Sequence, residues 1–368
     1  MAIDYDNDLF PPGEYIRDEL SARGWTQEDL AGITGRPSAV LSKIINGTKA
    51  ITPQTARQLA AAFGTSAELW MNLESAYRLA LEQADHAEVE KRAAIYSKAP
   101  VSDMVRRKWI DKCDTTDSLE REVLRFLDIP SLDATPQFDV AARKSSNDTT
   151  ASEIAWLCRV RQLAGALPVS PFSLNRVEKH LDELHALTVS EHEVRKVPAV
   201  LAKMGIRFLV VQHMPKTKID GYVLWLDSKP VIAVSLRYDR IDGFWHTLAH
   251  EVDHVRNGDR PPLDSNLVGP GCKEPISDIE CRANREASAW LVPPATLDSF
   301  ISRTKPRYSK RRILQFANAQ RIHPGIIVGQ LQFRKEIDWR HNREMLVSVR
   351  DILTDTALTD GWGHNPQI

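Results

Sequence analysis

The stretch WHTLAHEVDHVRNGD, residues 245–259, decides how the second half of this chain is read. His250, Glu251 and His254 form the pattern H-E-x-x-H. On a helix, residues four apart lie about 40° apart around the axis, so both imidazoles leave one face. Phe244, Trp245, Leu248, Val252 and Val255 fall on the other side. The spacing therefore predicts a helix over 244–256, its back set in a core and its front carrying two nitrogen ligands. Such a pair suits a divalent metal, zinc before others, and Glu251 projects beside it, where a carboxylate can take a proton from an activated water.

A third ligand must come from elsewhere. Glycine three residues after His254 and histidine six after would extend the pattern, but Asn257 and Arg260 stand there. Beyond the Pro/Gly-rich run RPPLDSNLVGPGCKEP, the segment IECRANREASAWLVPP predicts a helix over 279–291. Its small residues Ala283, Ala287, Ser288 and Ala289 allow close approach to another helix. Glu280 opens it and can reach a metal, although Ser277 and Glu280 also fit a helix-capping box. Cys281 and Glu286 are rival ligands and Asp259 a weaker one; spacing alone does not choose.

Before the histidine helix, IRFLVVQHM, YVLWLD and PVIAVSL are short runs rich in β-branched and aromatic residues, bounded by Gly221 and an Asp227–Pro230 turn. They predict a sheet of about three strands, and an extended peptide can pair along the edge of the sheet that contains Pro230–Leu236. Further helices are expected over 153–166, 174–187, 310–320 and around 344–353, and the end, TDGWGHNPQI, reads as a loose tail. Tyr222, Arg237 and His323 are candidates to stabilise an oxyanion.

Toward the N-terminus, TQEDLAGITGRPSAVLSKIINGTKAI has the layout of a helix-turn-helix. Thr26 and Asp29 resemble a capping box, and the first helix ends near Gly32, before a turn at Thr34–Gly35. A second helix runs from about Pro37 to Ile45. Leu30, Ala31, Ile33, Val40, Leu41 and Ile44 supply the contacts between the two. Thr52 before Pro53, and Thr65 with Glu68, mark two more helix starts. Residues 33–60 carry Arg36, Lys43, Lys49 and Arg57 and no acid, so this half is cationic. In such motifs the second helix lies in a DNA major groove. The candidate DNA-contacting residues are Gln27, Ser38, Ala39, Ser42, Lys43, Asn46 and Lys49, with Ser38 and Ser42 hydrogen-bonding and Lys43 and Lys49 near phosphates.

The totals agree with two or three domains. The chain has 368 residues, 42% apolar and 26% charged, with a net charge of −1. That balance excludes a wholly basic nucleic-acid coat protein and a disordered chain. Cys113, Cys158, Cys272 and Cys281 form no C-x-x-C pair, which fits reduced thiols and a cytoplasmic location. No signal peptide or membrane span is expected.

Residues 12–82 resemble antitoxin-type XRE helix-turn-helix proteins of the HigA kind. From about 195 to 335, DGFWHTLAHEVDH, ECRAN followed by EASAWLVP, and FANAQRIHPGIIVGQLQ resemble the ImmA/IrrE metallopeptidase family. With the middle stretch APVSDMVRRKWI, the chain is similar to the known fusion of both modules. The resemblance implies an α+β, mostly α architecture. It comprises a five-helix DNA-binding domain at 1–84, a helical linker region at 85–190 with a polar loop at 130–152, a zincin-like peptidase domain at 191–335, and a C-terminal helix and tail at 336–368. It implies a zinc ion held by His250, His254 and Glu280, with Glu251 as catalytic base. It also implies operator DNA, a protein substrate or cognate toxin as partners, and roles in repressor cleavage, stress response or toxin–antitoxin control; a homodimer is expected from the helix-turn-helix. The alternative is a non-catalytic antitoxin or repressor whose C-terminal domain senses a ligand or binds a toxin. Two positions depart from the family: Asp253 stands where glycine is usual and is read either as a partner of His250, three residues away, or, slightly preferred, as a solvated acid, and His246, where an aromatic is common, as a packing or surface residue.

Overall fold

The computed structural model describes residues 10–81, 86–136, 138, 149–259 and 278–366. The expected domain boundary at 84/85, Arg260, Cys272 and the Ser277 cap lie outside them. So do most of the Pro/Gly-rich run and residues 139–148 of the polar loop. The chain divides into two compact units, 1–88 and 89–368.

The first unit holds α1 (Pro12–Arg23), α2 (Gln27–Thr34), α3 (Ser38–Ile45), α4 (Pro53–Phe63) and α5 (Ala67–Leu81). The capping box at α2 forms as expected: Asp29 N–H donates to Thr26 Oγ1 at 3.1 Å and Thr26 N–H to Asp29 Oδ2 at 2.7 Å. Donation from the Thr26 N–H, and from the Thr26 hydroxyl to the same oxygen, holds the Asp29 carboxyl below the usual carboxylate range. Gly35, at φ 67°, ends α2 in the left-handed region where a side chain would be strained, so the chain can turn into α3. Thr52 caps α4. At α5 the cap is Ser66, whose Oγ accepts from Leu69 N–H at 3.1 Å. Thr65, the expected cap, instead accepts from Trp70 Nε1 at 2.8 Å. Ile16, Leu20, Leu30, Leu41, Ile44, Leu59, Phe63 and Trp70 are buried together, with Ala31 and Val40 against them. Ile33 is a correction: it is 50% exposed, because it lies on the side of α2 away from that core.

The second unit is built on β1 (Arg207–Val211), β2 (Gly221–Leu226), β3 (Lys229–Val234) and β4 (Leu358–Asp360), in spatial order β2-β3-β1-β4. The β2–β3 pair is an antiparallel hairpin, turned by Asp227 and Ser228 at φ 51° and 60°. β1 runs parallel to β3 and β4. Side chains alternate between faces along a strand. Phe208, Val210, Val223, Ile232 and Val234 join one core, and Leu209, Val211, Tyr222, Val231 and Ala233 the other. Helices cover both.

Two expectations change here. The sheet has four strands among the described residues, not about three, because Leu358–Asp360 pairs with β1. The end is therefore not a loose tail at Thr359–Asp360. Asp360 is buried, ion-paired with Arg159 and bonded to Trp109 Nε1 at 3.1 Å. The helices between 85 and 190 are no mere linker. α6 (Ala87–Lys98), α7 (Val101–Arg106), α8 (Thr116–Leu127) and α9 (Ala151–Gly165) supply the core behind the sheet, and Trp156 Nε1 donates to Val211 O at 3.1 Å. In the sheet that contains Pro230–Leu236, β3 lies between β2 and β1, and the edge strands are β2 and β4.

α10 (Leu174–Ala186) and α11 (Val197–Met204) lead into β1. On the other face lie α12 (Ile241–Asn257), α13 (Asp278–Leu291), α14 (Pro294–Thr304), α15 (Lys310–Gln320) and α16 (Pro324–Phe333), followed by α17 (Arg350–Thr354). Phe244, Trp245, Leu248, Val252 and Val255 of α12 are buried in that core, as the periodicity predicts.

Candidate metal centre and helix-turn-helix face

α12 presents His250 and His254 toward the first turn of α13, where Glu280 stands; all three are buried. Their donor atoms lie within 4.8 Å of one another. The Nε2 atoms of the histidines are 2.9 Å apart, Glu280 Oε2 is 3.0 Å from His250 Nε2, and Glu280 Oε1 is 3.4 Å from His254 Nε2. Ligands tetrahedrally disposed about zinc at its usual bond lengths are about 3.3 Å apart. Two imidazoles and a carboxylate in a triangle of that size fit a divalent ion. Burial works against a charged His254, but Glu280 and the charge of Glu251 outweigh it and raise the proton affinity of the imidazole. A cation at this point would replace that proton.

Glu251 is also buried, next to the histidines. A β-carbon on Gly221, the first residue of β2, would come 2.5 Å from Glu251 Oε1 and 2.6 Å from Thr247 Cγ2. Glycine is required here by closeness, and it lets the carboxylate lie against the margin strand.

His254 is oriented from behind. Its Nδ1 is 3.1 Å from Asp259 Oδ2. Gly258, in the left-handed region, ends α12 and turns the chain so that Asp259 comes back over the ring. Trp225 Nε1 of β2 donates to Asp259 O at 3.1 Å, and Asp259 also pairs with Arg282. A carboxylate behind a ligating histidine selects the tautomer that offers Nε2 to a metal. Asp259 thus stands behind His254 and outside the group of His250, His254 and Glu280. Glycine followed by aspartate at the helix end was the available signal for it.

Glu286 and Cys281 are exposed, and neither belongs to the cluster; Glu286 lies 3.1 Å from Arg285 Nε. Asp253 is a correction: it is buried rather than solvated, and accepts from Arg282 Nε at 3.2 Å. His246, half-buried, has Nε2 3.3 Å from Asn284 Oδ1. Burial, with the neighbouring His250, brings its pKa down to about 4. Of the oxyanion candidates, Arg237 holds Asp220 through two bonds, Tyr222 is in the core behind the sheet, and His323 caps α16. Their surroundings give each a structural task.

In the first unit Ser38, Ala39, Lys43, Asn46 and Lys49 are exposed, while Gln27 and Ser42 are half-buried. Asn46 Oδ1 accepts from Arg17 at 3.0 Å, and its Nδ2 is 3.4 Å from Ser42 Oγ. Arg36 is drawn inward by Gln58, which donates to Thr34 O at 3.0 Å. The exposed cations of this half are therefore Lys43, Lys49 and Arg57.

Comparison with known proteins bears on this unit. Residues 16–70 match the helix-turn-helix family HTH_3. A 69-residue stretch is 29% identical to the uncharacterized HTH-type transcriptional regulator YddM of Escherichia coli (strain K12), over 19% of this chain and 73% of that protein. An addiction module antidote protein of the HigA family from Coxiella burnetii is 32% identical, with 22% of this chain and 87% of that chain covered and a TM-score of 0.21.

Proposed function

Because the N-terminal unit belongs to the helix-turn-helix family, we propose that this chain is a cytoplasmic DNA-binding regulator of antitoxin type whose second unit is a zinc-dependent peptidase of ImmA/IrrE type. The observation that carries the peptidase half is the buried convergence of His250, His254 and Glu280 beside Glu251. The regulatory half rests on the family match and on the exposed Lys43, Lys49 and Arg57 of a segment, residues 33–60, that contains no acid. α3 enters the major groove with Ser38, Ala39 and Ser42 toward base edges, and the lysines neutralise phosphates. Operators of such proteins pair half-sites, so the chain acts on DNA as a homodimer.

Zinc, when bound by His250, His254 and Glu280, supplies Lewis-acid polarisation of a water and of the scissile carbonyl. The protein does the rest. An extended peptide pairs along β2, the strand against which Glu251 lies. Glu251 accepts a proton from the attacking water on a carboxylate oxygen and passes it to the departing amine. Asp259 holds His254 in register meanwhile. The substrate is a protein partner, either a repressor or a cognate toxin. Among the described residues no helix is long and apolar enough to cross a membrane.

The test uses full-length protein, wild type and Glu251→Gln, with zinc measured by elemental analysis and cleavage followed on labelled casein and co-expressed partner proteins. Both forms should hold zinc, and the variant should lose about 10²- to 10⁴-fold in rate, the usual contribution of a general base. Zinc retention without cleavage by the wild type would leave a regulator with a structural metal.

A further inference from the structure

A cavity of about 440 Å³ lies between α12, α13 and α16. None of the three cluster residues lines it, but it begins one helical turn away from them. His246 precedes His250 by four residues, and Asn284 follows Glu280 by four. The His246–Asn284 contact, 3.3 Å long, forms the wall on that side. One turn advances about 5.4 Å along a helix, while neighbouring Cα atoms of a peptide are about 3.8 Å apart. The residue next to a bond held at the cluster therefore has its side chain within reach of the cavity.

The chemistry of the walls limits what enters. Leu291, Ile326, Phe333 and Trp339 supply apolar surface, and the small residues Ser288 and Ala289 leave the space open. Several of the polar groups have partners. Asp242 accepts from Arg240 at 3.0 and 2.7 Å, and Gln330 Nε2 donates to Ser288 O at 3.0 Å. Arg285 and Arg334 have acidic neighbours, Glu286 and Asp298. A charged side chain would lose hydration on entering, and Asp242, already paired with Arg240, offers a lysine little in return. Phe333, by contrast, is 69% exposed at the rim, ready to cover an apolar guest.

We propose that this cavity is a specificity pocket for a large apolar side chain, aromatic before aliphatic, on the residue adjoining the bond to be cut. The proposal rests on the peptidase reading of the neighbouring cluster and extends it to a substrate class. Ala289 and Phe333 are its specificity-determining residues. A pocket of this kind discriminates by about 10- to 100-fold between a large apolar side chain and alanine.

Two measurements on the full-length chain test it. The first follows N-acetyl-4-fluorophenylalanyl-alanine amide by fluorine NMR with metal-stripped protein, so that binding is read without turnover. Blocked dipeptides with phenylalanine or leucine should displace the probe, and those with lysine, glutamate or alanine should not. Ala289→Trp, which fills the cavity, should weaken binding at least tenfold; Phe333→Ala, at an exposed position that folding does not need, should weaken it severalfold. The second measures kcat/KM of zinc-loaded protein on a peptide mixture varied on both sides of the scissile bond. A preference for aromatic residues, lost in Ala289→Trp, supports the assignment. Cleavage without that preference, or with the same preference in both variants, overturns it while the peptidase reading stands. Probe binding sensitive to both substitutions, with no cleavage by wild type, sinks the peptidase reading and leaves an apolar pocket that serves recognition. Absence of probe binding overturns the pocket directly.

Discussion

Replacing Asp259 by asparagine tests how the candidate centre is held. The substitution keeps size and the capacity to accept a bond but removes the negative charge 3.1 Å from His254 Nδ1. His254 is fully buried, so water cannot take over the task. Loss of a carboxylate behind a metal-bound histidine weakens metal binding by about 10- to 100-fold, on the order of 1.4 to 2.8 kcal/mol. Asp253→Asn is the internal control. Asp253 shares Arg282 with Asp259 but is not bonded to either histidine through any described contact, and its loss should change zinc affinity less than about threefold, as a single partly exposed ion pair suggests. The assay is competition with a chromophoric zinc chelator near neutral pH on full-length protein, with melting temperature as a check on folding. If Asp259→Asn keeps wild-type affinity while His254→Ala loses it, Asp259 does not orient the ligand and the reasoning fails.

Gly221→Ala should place a methyl group against Glu251 and Thr247, cost about 1–3 kcal/mol in denaturant unfolding, and impair hydrolysis while zinc content stays unchanged. Lys43→Ala and Lys49→Ala should each lower the slope of log affinity against log salt by about 1 in operator binding, with little change in sequence preference. His246 gives a pH signature. Its pKa falls from 6.5 to about 4 in the folded chain, so between these values the unfolded chain binds more protons and stability drops as pH drops. Thermal melts of metal-free His246→Phe should show a shallower acid slope over that interval than the wild type does.

Local features could be read directly because the interactions behind them span a few residues. The Thr26–Asp29 box, the glycine ending α2, the hairpin turn at Asp227 and the paired faces of α12 depend on spacings of two to four positions. The same locality explains what could mislead. Thr65 was the expected cap of α5; Ser66, the next residue, takes that place, and Thr65 accepts from Trp70 Nε1 instead.

What sequence alone determined, then, is that His250 and His254 share a helix face with Glu251 beside them, and that a helix-turn-helix stands in front. Tertiary structure chose the third donor. Glu280, Cys281 and Glu286 lie on one helix, and only the packing of α13 against α12 sets Glu280 at the imidazoles and turns Glu286 to the surface. It also made a fourth strand of Leu358–Asp360 and a sheet-covering layer of the helices before residue 166. Helical periodicity is a property of neighbouring residues. Convergence of side chains that are some thirty or two hundred positions apart depends on how apolar faces are buried together, and no spacing along the chain encodes it locally.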